Sequence, residues 1–226
     1  MKRKQFCITT YYDSTYESVG NISLVTIKRY AQMHDADLFI SNDVNLSLDR
    51  PPAWRKIQVI QGLFNVGYQY VLWIDADALF VQHEHSLFTS EIEQNKDLYL
   101  TAHSDGNRNI PNSGVLMVKN SFFGRSLLRK IWDLSIYKNH VWWENAAIIH
   151  LISNEDFSEH GIQNNRKKLN SHEMKKIKYL DIKWNSIPEV YNGNACAKAP
   201  IIKHYAGLPL EYRYQCMIDD FSKIKR

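Results

Sequence analysis

A chain of 226 residues has room for one large domain, or for two lobes around a shared core. Its 44% apolar and 12% aromatic content excludes global disorder, and only nine glycines exclude collagen-like and low-complexity folds. The formal charge of +4 belongs to the ends: without Lys2, Arg3, Lys4, Lys223, Lys225 and Arg226 the body holds 22 basic residues against 24 acidic ones.

Gln5 to Thr10 predicts a first strand. Ile22 to Met33 follows as a helix, with Leu24, Ile27, Tyr30 and Ala31 at helical spacing. Asp37 to Ile40 reads as a short strand. Pro51 and Pro52 open a second helix, where proline costs no internal hydrogen bond. That helix runs to about Asn65, and Gly67 is its stop. Tyr70 to Ile74 is an apolar strand, and Leu98 to His103 and Gly114 to Lys119 are two more. Ser121 caps a helix with Leu127, Leu128, Ile131 and Trp132 on one face. A helix over about Glu144 to Ile152 follows. Strands at Ile177 to Leu180 and Pro200 to His204 come next, then a terminal helix with Leu210, Tyr214, Met217 and Phe221. The alternation predicts an α/β fold with a mostly parallel central sheet flanked by helices. There is no repeat, linker or evident domain boundary. In such sheets ligands bind beyond the carboxyl ends of strands.

The cysteines are Cys7, Cys196 and Cys216. An odd, sparse set is a poor disulfide framework and fits a reducing compartment. The basic start lacks the apolar core of a signal peptide. No stretch approaches the roughly 18 apolar residues of a membrane span. The expectation is a soluble, cytoplasmic protein. A second basic run holds Arg166, Lys167, Lys168, Lys175, Lys176 and Lys178. It reads as a solvated face. The sharper alternative is a patch facing anionic glycan or lipid, with the tails or this 166–178 run making peripheral membrane contact. No zinc spacing, helix-turn-helix or RNP-like strand points to nucleic acid.

The strongest chemical signal is the apolar run Val71 to Ile74 ending in Asp75, Ala76 and Asp77. Burying two unpaired carboxylates costs several kcal/mol each, so a partner cation is expected. Carboxylates at i and i+2 share a face and suit a hard divalent cation, which can neutralise a diphosphate. A strand running into an Asp-rich turn is the plainer reading. Asn112, Ser113 and Gly114 enter an apolar strand, where glycine permits close approach of backbone to a ligand; alone this reads as an ordinary turn. Trp142, Trp143, Glu144 and Asn145 place two indoles before a carboxylate and an amide. Indoles stack on sugar faces, but a core tryptophan and a helix-start acid explain them equally. Lys203, His204, Tyr205, Ala206 and Gly207 end a short strand. A lone histidine is more often structural, yet this one can reach the Asp pair. Two carboxylates and an imidazole suit Mn²⁺ better than Ca²⁺.

The four motifs, in this order, resemble the galactosyl-, mannosyl- and xylosyltransferase family typified by yeast α-1,2-galactosyltransferase and α-1,6-mannosyltransferase subunits. The resemblance spans about Phe6 to Gly207. It takes in Thr9 and Thr10, then Lys28, Arg29, Tyr30, Ala31, His34 and Asp37. Pro52, Trp54 and Lys56 precede the segment Trp73 to Ala78. Asn112 to Gly114, Glu144 and Asn145, Trp184 and Asn185, and His204 to Gly207 complete it.

The resemblance implies a GT-A fold, Rossmann-like, and a retaining nucleotide-sugar transferase. It implies one domain over 1–226, with a nucleotide-sugar half at about 5–110 and an acceptor half at about 111–210. A terminal helix and basic tail would occupy 208–226. Asp75, Asp77 and His204 match the metal ligands, for Mn²⁺ or Mg²⁺. Thr9, Thr10 and Tyr11 match the grip on base and ribose. Lys56, Ala76 and Gly207 complete the donor site. Glu144 and Asn145 match the pair beside the reaction centre, with Asp105 as a further catalytic candidate. His103, Asn112, Trp142 and Trp143 would line the acceptor cleft. The donor would be a nucleotide sugar, a UDP-sugar ahead of a GDP-sugar, and the acceptor a glycan or glycoconjugate. Three features depart from the family. Its usual pair is closer to Asp-Gln than Glu-Asn. Its members are typically anchored to a membrane. Related families also carry a lysine after the final glycine, where the nearest cation here is Arg213. Two other classes share parts of the pattern: a sugar nucleotidyltransferase, which would need a Gly-rich basic loop after the first strand, and a non-catalytic, metal-dependent carbohydrate-binding module.

Overall fold

The computed structural model describes residues 5–41, 49–105, 108–153, 168–188 and 195–224, with the backbone alone at 105 and 108. The strands are β1 (Phe6–Thr10), β2 (Asp37–Ile40), β3 (Tyr70–Ile74), β4 (Ala78–Phe80), β5 (Leu98–Asp105), β6 (Arg108–Lys119), β7 (Ile177–Leu180) and β8 (Ile202–His204). The longer helices are α1 (Glu17–Met33), α2 (Arg55–Val66), α4 (Phe122–Asp133), α5 (Trp143–Ile152) and α7 (Leu210–Lys223). Single turns form α3 (Leu87–Ser90) and α6 (Ser171–Met174).

Among the described residues, six strands form one sheet in the order β2-β1-β3-β6-β5-β7. β1 pairs in parallel with β2 and β3, and β5 in parallel with β7. β6 alone runs against its neighbours β3 and β5. The predicted strand at Gly114 to Lys119 is only the second half of β6. Its first half has passed the end of β3 and pairs with β5, through a register shift at Leu100/Thr101. Pro111 sits in that half, where no second neighbour needs its missing N–H.

β3 is buried at all five positions, as expected of a strand covered on both faces. Alternation divides its side chains. Val71 and Trp73 face a cluster with Ile57, Leu63, Leu127, Ile131, Ala147 and Ile148, from α2, α4 and α5. Leu72 and Ile74 face a cluster with Ile27, Tyr30, Phe80 and Ile202, from α1, β4 and β8. Ser121 caps α4 by accepting from the Gly124 N–H at 3.0 Å.

A second, two-stranded sheet was not expected. β4 and β8 pair antiparallel, with Ala78 opposite His204 and Phe80 opposite Ile202. This ladder sets the C-terminal segment beside the end of β3. The three cysteines are free. In the basic run, residues 166–167 lie outside the described residues. Lys178 lies 3.1 Å from Glu91 and 2.9 Å from Glu93, so that part of the run is a paired surface. No helix among the described residues is long and apolar enough to cross a membrane.

Gly67 ends α2 in the left-handed region at φ 106°, its N–H bonded to the carbonyls of Leu63 and Phe64. A side chain at that φ costs about 1–2 kcal/mol. Gly67→Ala is expected to lower unfolding stability by that amount in urea melts.

Candidate active site

Asp75 and Asp77 leave the carboxyl end of β3 in a tight turn closed by the Ala78 N–H on the Asp75 carbonyl, at 3.0 Å. The β4–β8 ladder then sets His204 opposite Ala78, and the Tyr205 N–H donates to the Asp77 carbonyl at 2.9 Å. One ligand atom from each of Asp75, Asp77 and His204 lies within 4.8 Å of the others, a set that could hold a metal ion. His204 Nε2 is 3.3 Å from Asp77 Oδ1 and 3.7 Å from Asp75 Oδ2.

The outward oxygen of each carboxylate is already held. Asp75 Oδ1 accepts from Trp73 Nε1 at 2.5 Å and faces Lys56 Nζ at 3.2 Å. Asp77 Oδ2 is 3.2 Å from Arg213 Nη1. Arg213 is buried and donates to the Leu208 carbonyl at 2.7 Å. The free oxygens therefore converge on the imidazole, and the two cations stand behind them.

Lys56 is 1% exposed. Its ammonium donates to Glu144 Oε1 at 2.8 Å, to the Ser113 carbonyl at 2.9 Å and to Ser113 Oγ at 3.1 Å. Ser113 Oγ also donates to Glu144 Oε1, at 3.2 Å. Burial works against the Lys56 charge, but Asp75 and Glu144 outweigh it and raise its pKa. Glu144 is shifted upward by burial and by the Asp75 charge, against the pull of Lys56. Its Oε2 is buried without a hydrogen-bond partner among the described residues. Burial would raise Asp77, yet His204 and Arg213 hold it well below the usual carboxylate range. Burial would lower His204, and Asp77 with Asp75 overcomes this and raises it.

Gly114 is needed here for a reason other than the expected approach of a ligand. A Cβ at this position would overlap the His204 ring. The imidazole thus sits directly against the β6 backbone. Asn145 Oδ1 accepts from the Ser113 N–H at 3.0 Å and its Nδ2 donates to the Pro111 carbonyl at 3.2 Å, so both ends of the amide hold β6. Asn112 Oδ1 accepts from the Gly114 N–H at 2.9 Å. His103 is buried, with Nε2 on the Asn185 carbonyl at 2.8 Å.

Thr9 and Thr10 are fully buried at the end of β1, their hydroxyls without partners among the described residues. The half-buried Tyr11 accepts a hydrogen bond from Arg55, whose guanidinium lies 4.4 Å over its ring. Ala76 is buried, and Gly207 turns the chain at φ 77°. Trp142 and Trp143 are exposed at the start of α5, and Trp143 is held at φ 44°. The Asp105 side chain lies outside the described residues. Ser113 and Asn185 take part without having been singled out as site residues. Each sits inside a quoted motif, but nothing in the sequence says which way its side chain turns.

The family model for nucleotide-diphospho-sugar transferases matches residues 52–198. None of the curated proteins matches the chain. Among solved structures the chain is similar to a glycosyltransferase involved in glycosylation of the major capsid of PBCV-1. The TM-score is 0.68 at 14% identity, over 96% of this chain and 100% of that one. It is similar to galactosyltransferase LgtC in complex with donor and acceptor sugar analogues (TM-score 0.55, 11% identity, 97% and 96% of the two chains). It is also similar to the glycosyltransferase GlyE of Streptococcus pneumoniae (TM-score 0.57, 14% identity), covering 99% of this chain and 63% of that one. At these identities the likeness is one of fold, the GT-A arrangement.

Removing the Lys56 charge leaves Asp75 and Glu144 uncompensated. Lys56→Met is expected to cost about 3–5 kcal/mol in urea unfolding, with partial recovery in Lys56→Met/Glu144→Gln. The Asp77–His204 pair gives a pH signature in metal-free protein. The depressed Asp77 contributes stability that is lost as pH falls through its lowered pKa. The raised His204 contributes stability that is lost as pH rises through its raised pKa. The stability gap between wild type and Asp77→Asn is therefore expected to be widest between pH 3.8 and 6.5, the ordinary values of the two groups, in melts across a pH series.

Proposed function

Because the chain belongs to the nucleotide-diphospho-sugar transferase family, we propose that it moves a hexose or pentose from a nucleotide-diphosphate sugar to a hydroxyl of a glycan or glycoconjugate, with a divalent cation. The observation that carries the cation is the convergence of Asp75 Oδ2, Asp77 Oδ1 and His204 Nε2 beyond the end of β3. Two carboxylate oxygens and one imidazole nitrogen, each backed by a partner on its far side, fit Mn²⁺ or Mg²⁺. When bound, such an ion neutralises the diphosphate and the charge on the departing nucleotide.

The protein's own residues do the rest. Lys56 and Trp73 fix Asp75, and Arg213 fixes Asp77, so neither carboxylate reorganises when the donor arrives. Arg213 also places a fixed positive charge behind the site, on the side of α7. Glu144 Oε1 is taken up by Lys56 and Ser113 and its Oε2 is shut away from solvent, which favours transfer on the leaving-group face, with retention, over attack by this carboxylate. Asn145 holds the 111–113 backbone under the reaction centre. Trp142 and Trp143, 40% and 44% exposed, offer aromatic faces to the acceptor. His103, held on the Asn185 carbonyl, and Asn112, held on the Gly114 N–H, would line the acceptor cleft with them. Residues of about 5–110 would serve the donor and those of about 111–210 the acceptor. The motif order further supports kinship with the galactosyl-, mannosyl- and xylosyltransferases, and a UDP-sugar ahead of a GDP-sugar.

Thermal-shift titration with UDP and GDP, with and without Mn²⁺, tests the donor reading. The expected outcome is a shift with UDP that needs Mn²⁺. A shift with neither nucleotide would leave a glycan-binding module as the better reading. Asp75→Ala and Asp77→Ala are expected to abolish that shift and to lower transfer by at least about 100-fold, read by mass spectrometry of products from a nucleotide-sugar panel.

A further inference from the structure

His204 has two ring nitrogens, and only one without a hydrogen can take a metal. Its Nδ1 lies 2.9 Å from Asn185 Oδ1. Asn185 is fully buried, and its Nδ2 lies 2.9 Å from Asn112 Oδ1. Asn112 Oδ1 in turn lies 2.9 Å from the backbone nitrogen of Gly114.

The direction of this relay follows from its far end. A backbone N–H can only donate, so Asn112 must present its oxygen to Gly114. That same oxygen can only accept, so Asn185 must present its NH₂ to Asn112. Its carbonyl oxygen is then left for His204, and the His204 nitrogen facing it must carry the hydrogen. We infer that Asn185 is the positioning residue for His204: it keeps the hydrogen on Nδ1 and turns the Nε2 lone pair toward Asp75 and Asp77. The inference rests on the reading of His204 as a metal ligand.

The backbone supports the same arrangement. The Ser186 N–H donates to the Ile202 carbonyl at 2.9 Å, and the His204 N–H to the Ser186 carbonyl at 2.8 Å. Asn185 is thereby locked alongside β8. Its own carbonyl accepts from His103 Nε2 at 2.8 Å, which takes up its remaining polar atom. Gly114 lies against the ring edge between the two nitrogens, where any side chain would collide with it. A relay of amides that begins on β6 thus holds the imidazole in its observed orientation.

The test is Mn²⁺ affinity by calorimetry on the full chain, with folding checked by circular dichroism. Asn185→Ala is expected to weaken Mn²⁺ binding by about 10–100-fold. Asn185→Asp keeps an acceptor facing Nδ1 but loses the donor to Asn112, and is expected to recover part of that loss. If Asn185 served packing alone, the buried charge of Asp would be at least as damaging as Ala, and that result overturns the inference. Wild-type affinity in Asn185→Ala overturns it as well, while leaving the metal reading intact. Absence of Mn²⁺ binding in the wild-type protein overturns both. Nitrogen-15 NMR of histidine-labelled wild type loaded with Zn²⁺ needs no variant. It is expected to show the His204 hydrogen on Nδ1, and a hydrogen on Nε2 overturns the inference.

Discussion

The site depends on one buried cation. The Lys56 ammonium, shut away from solvent, touches groups from β3's end, from β6 and from α5. Each of those groups is a carboxylate or an oxygen that would be costly to bury alone. Withdraw the charge and Asp75 and Glu144 repel each other in a low dielectric, with only the Ser113 hydroxyl left to Glu144. Keep it, and three separate elements converge on one point without help from a ligand. Around this cluster His204 and Arg213 depress Asp77 against its burial, Asp77 and Asp75 raise His204 against its burial, and burial with Asp75 raises Glu144.

Much of this was legible in the sequence wherever the signal was local. β3 is a buried apolar run that stops at a charged residue, and its bounds agree with the expectation. Gly67 and Ser121 mark helix ends through backbone chemistry that needs no tertiary contact. The pairing of Asp75 and Asp77 was visible for the same reason. β4 was hidden because three residues carry no period, and its partner β8 lies far along the chain. The first half of β6 was hidden because Pro111, Asn112 and Ser113 look like a turn; they can be a strand only because β6 has outrun β3. The part Asn185 plays depends on the direction of an amide, which no spacing rule reports. Gly114 reads alone as an ordinary turn, and its close approach is to a histidine from β8 rather than to a ligand.

The arrangement also separates two kinds of positive charge. Lys56 and Arg213 are permanent and sit behind the carboxylates. The inward position, bounded by Asp75, Asp77 and His204, is where a charge can be exchanged. The fixed pair sets geometry, and an exchangeable cation would set affinity for an anionic donor. A net charge of +4 read from composition says nothing of this, because the ends carry it.

The β4–β8 ladder spans only three residue pairs, yet it holds the C-terminal segment on the large sheet. An ion shared by Asp75, Asp77 and His204 would cross that seam and act as a clasp between two parts of the chain that are remote in sequence. Loading the site and docking α7 then become one equilibrium. Cofactor supply would govern how firmly the C-terminal segment is held as well as whether the donor binds.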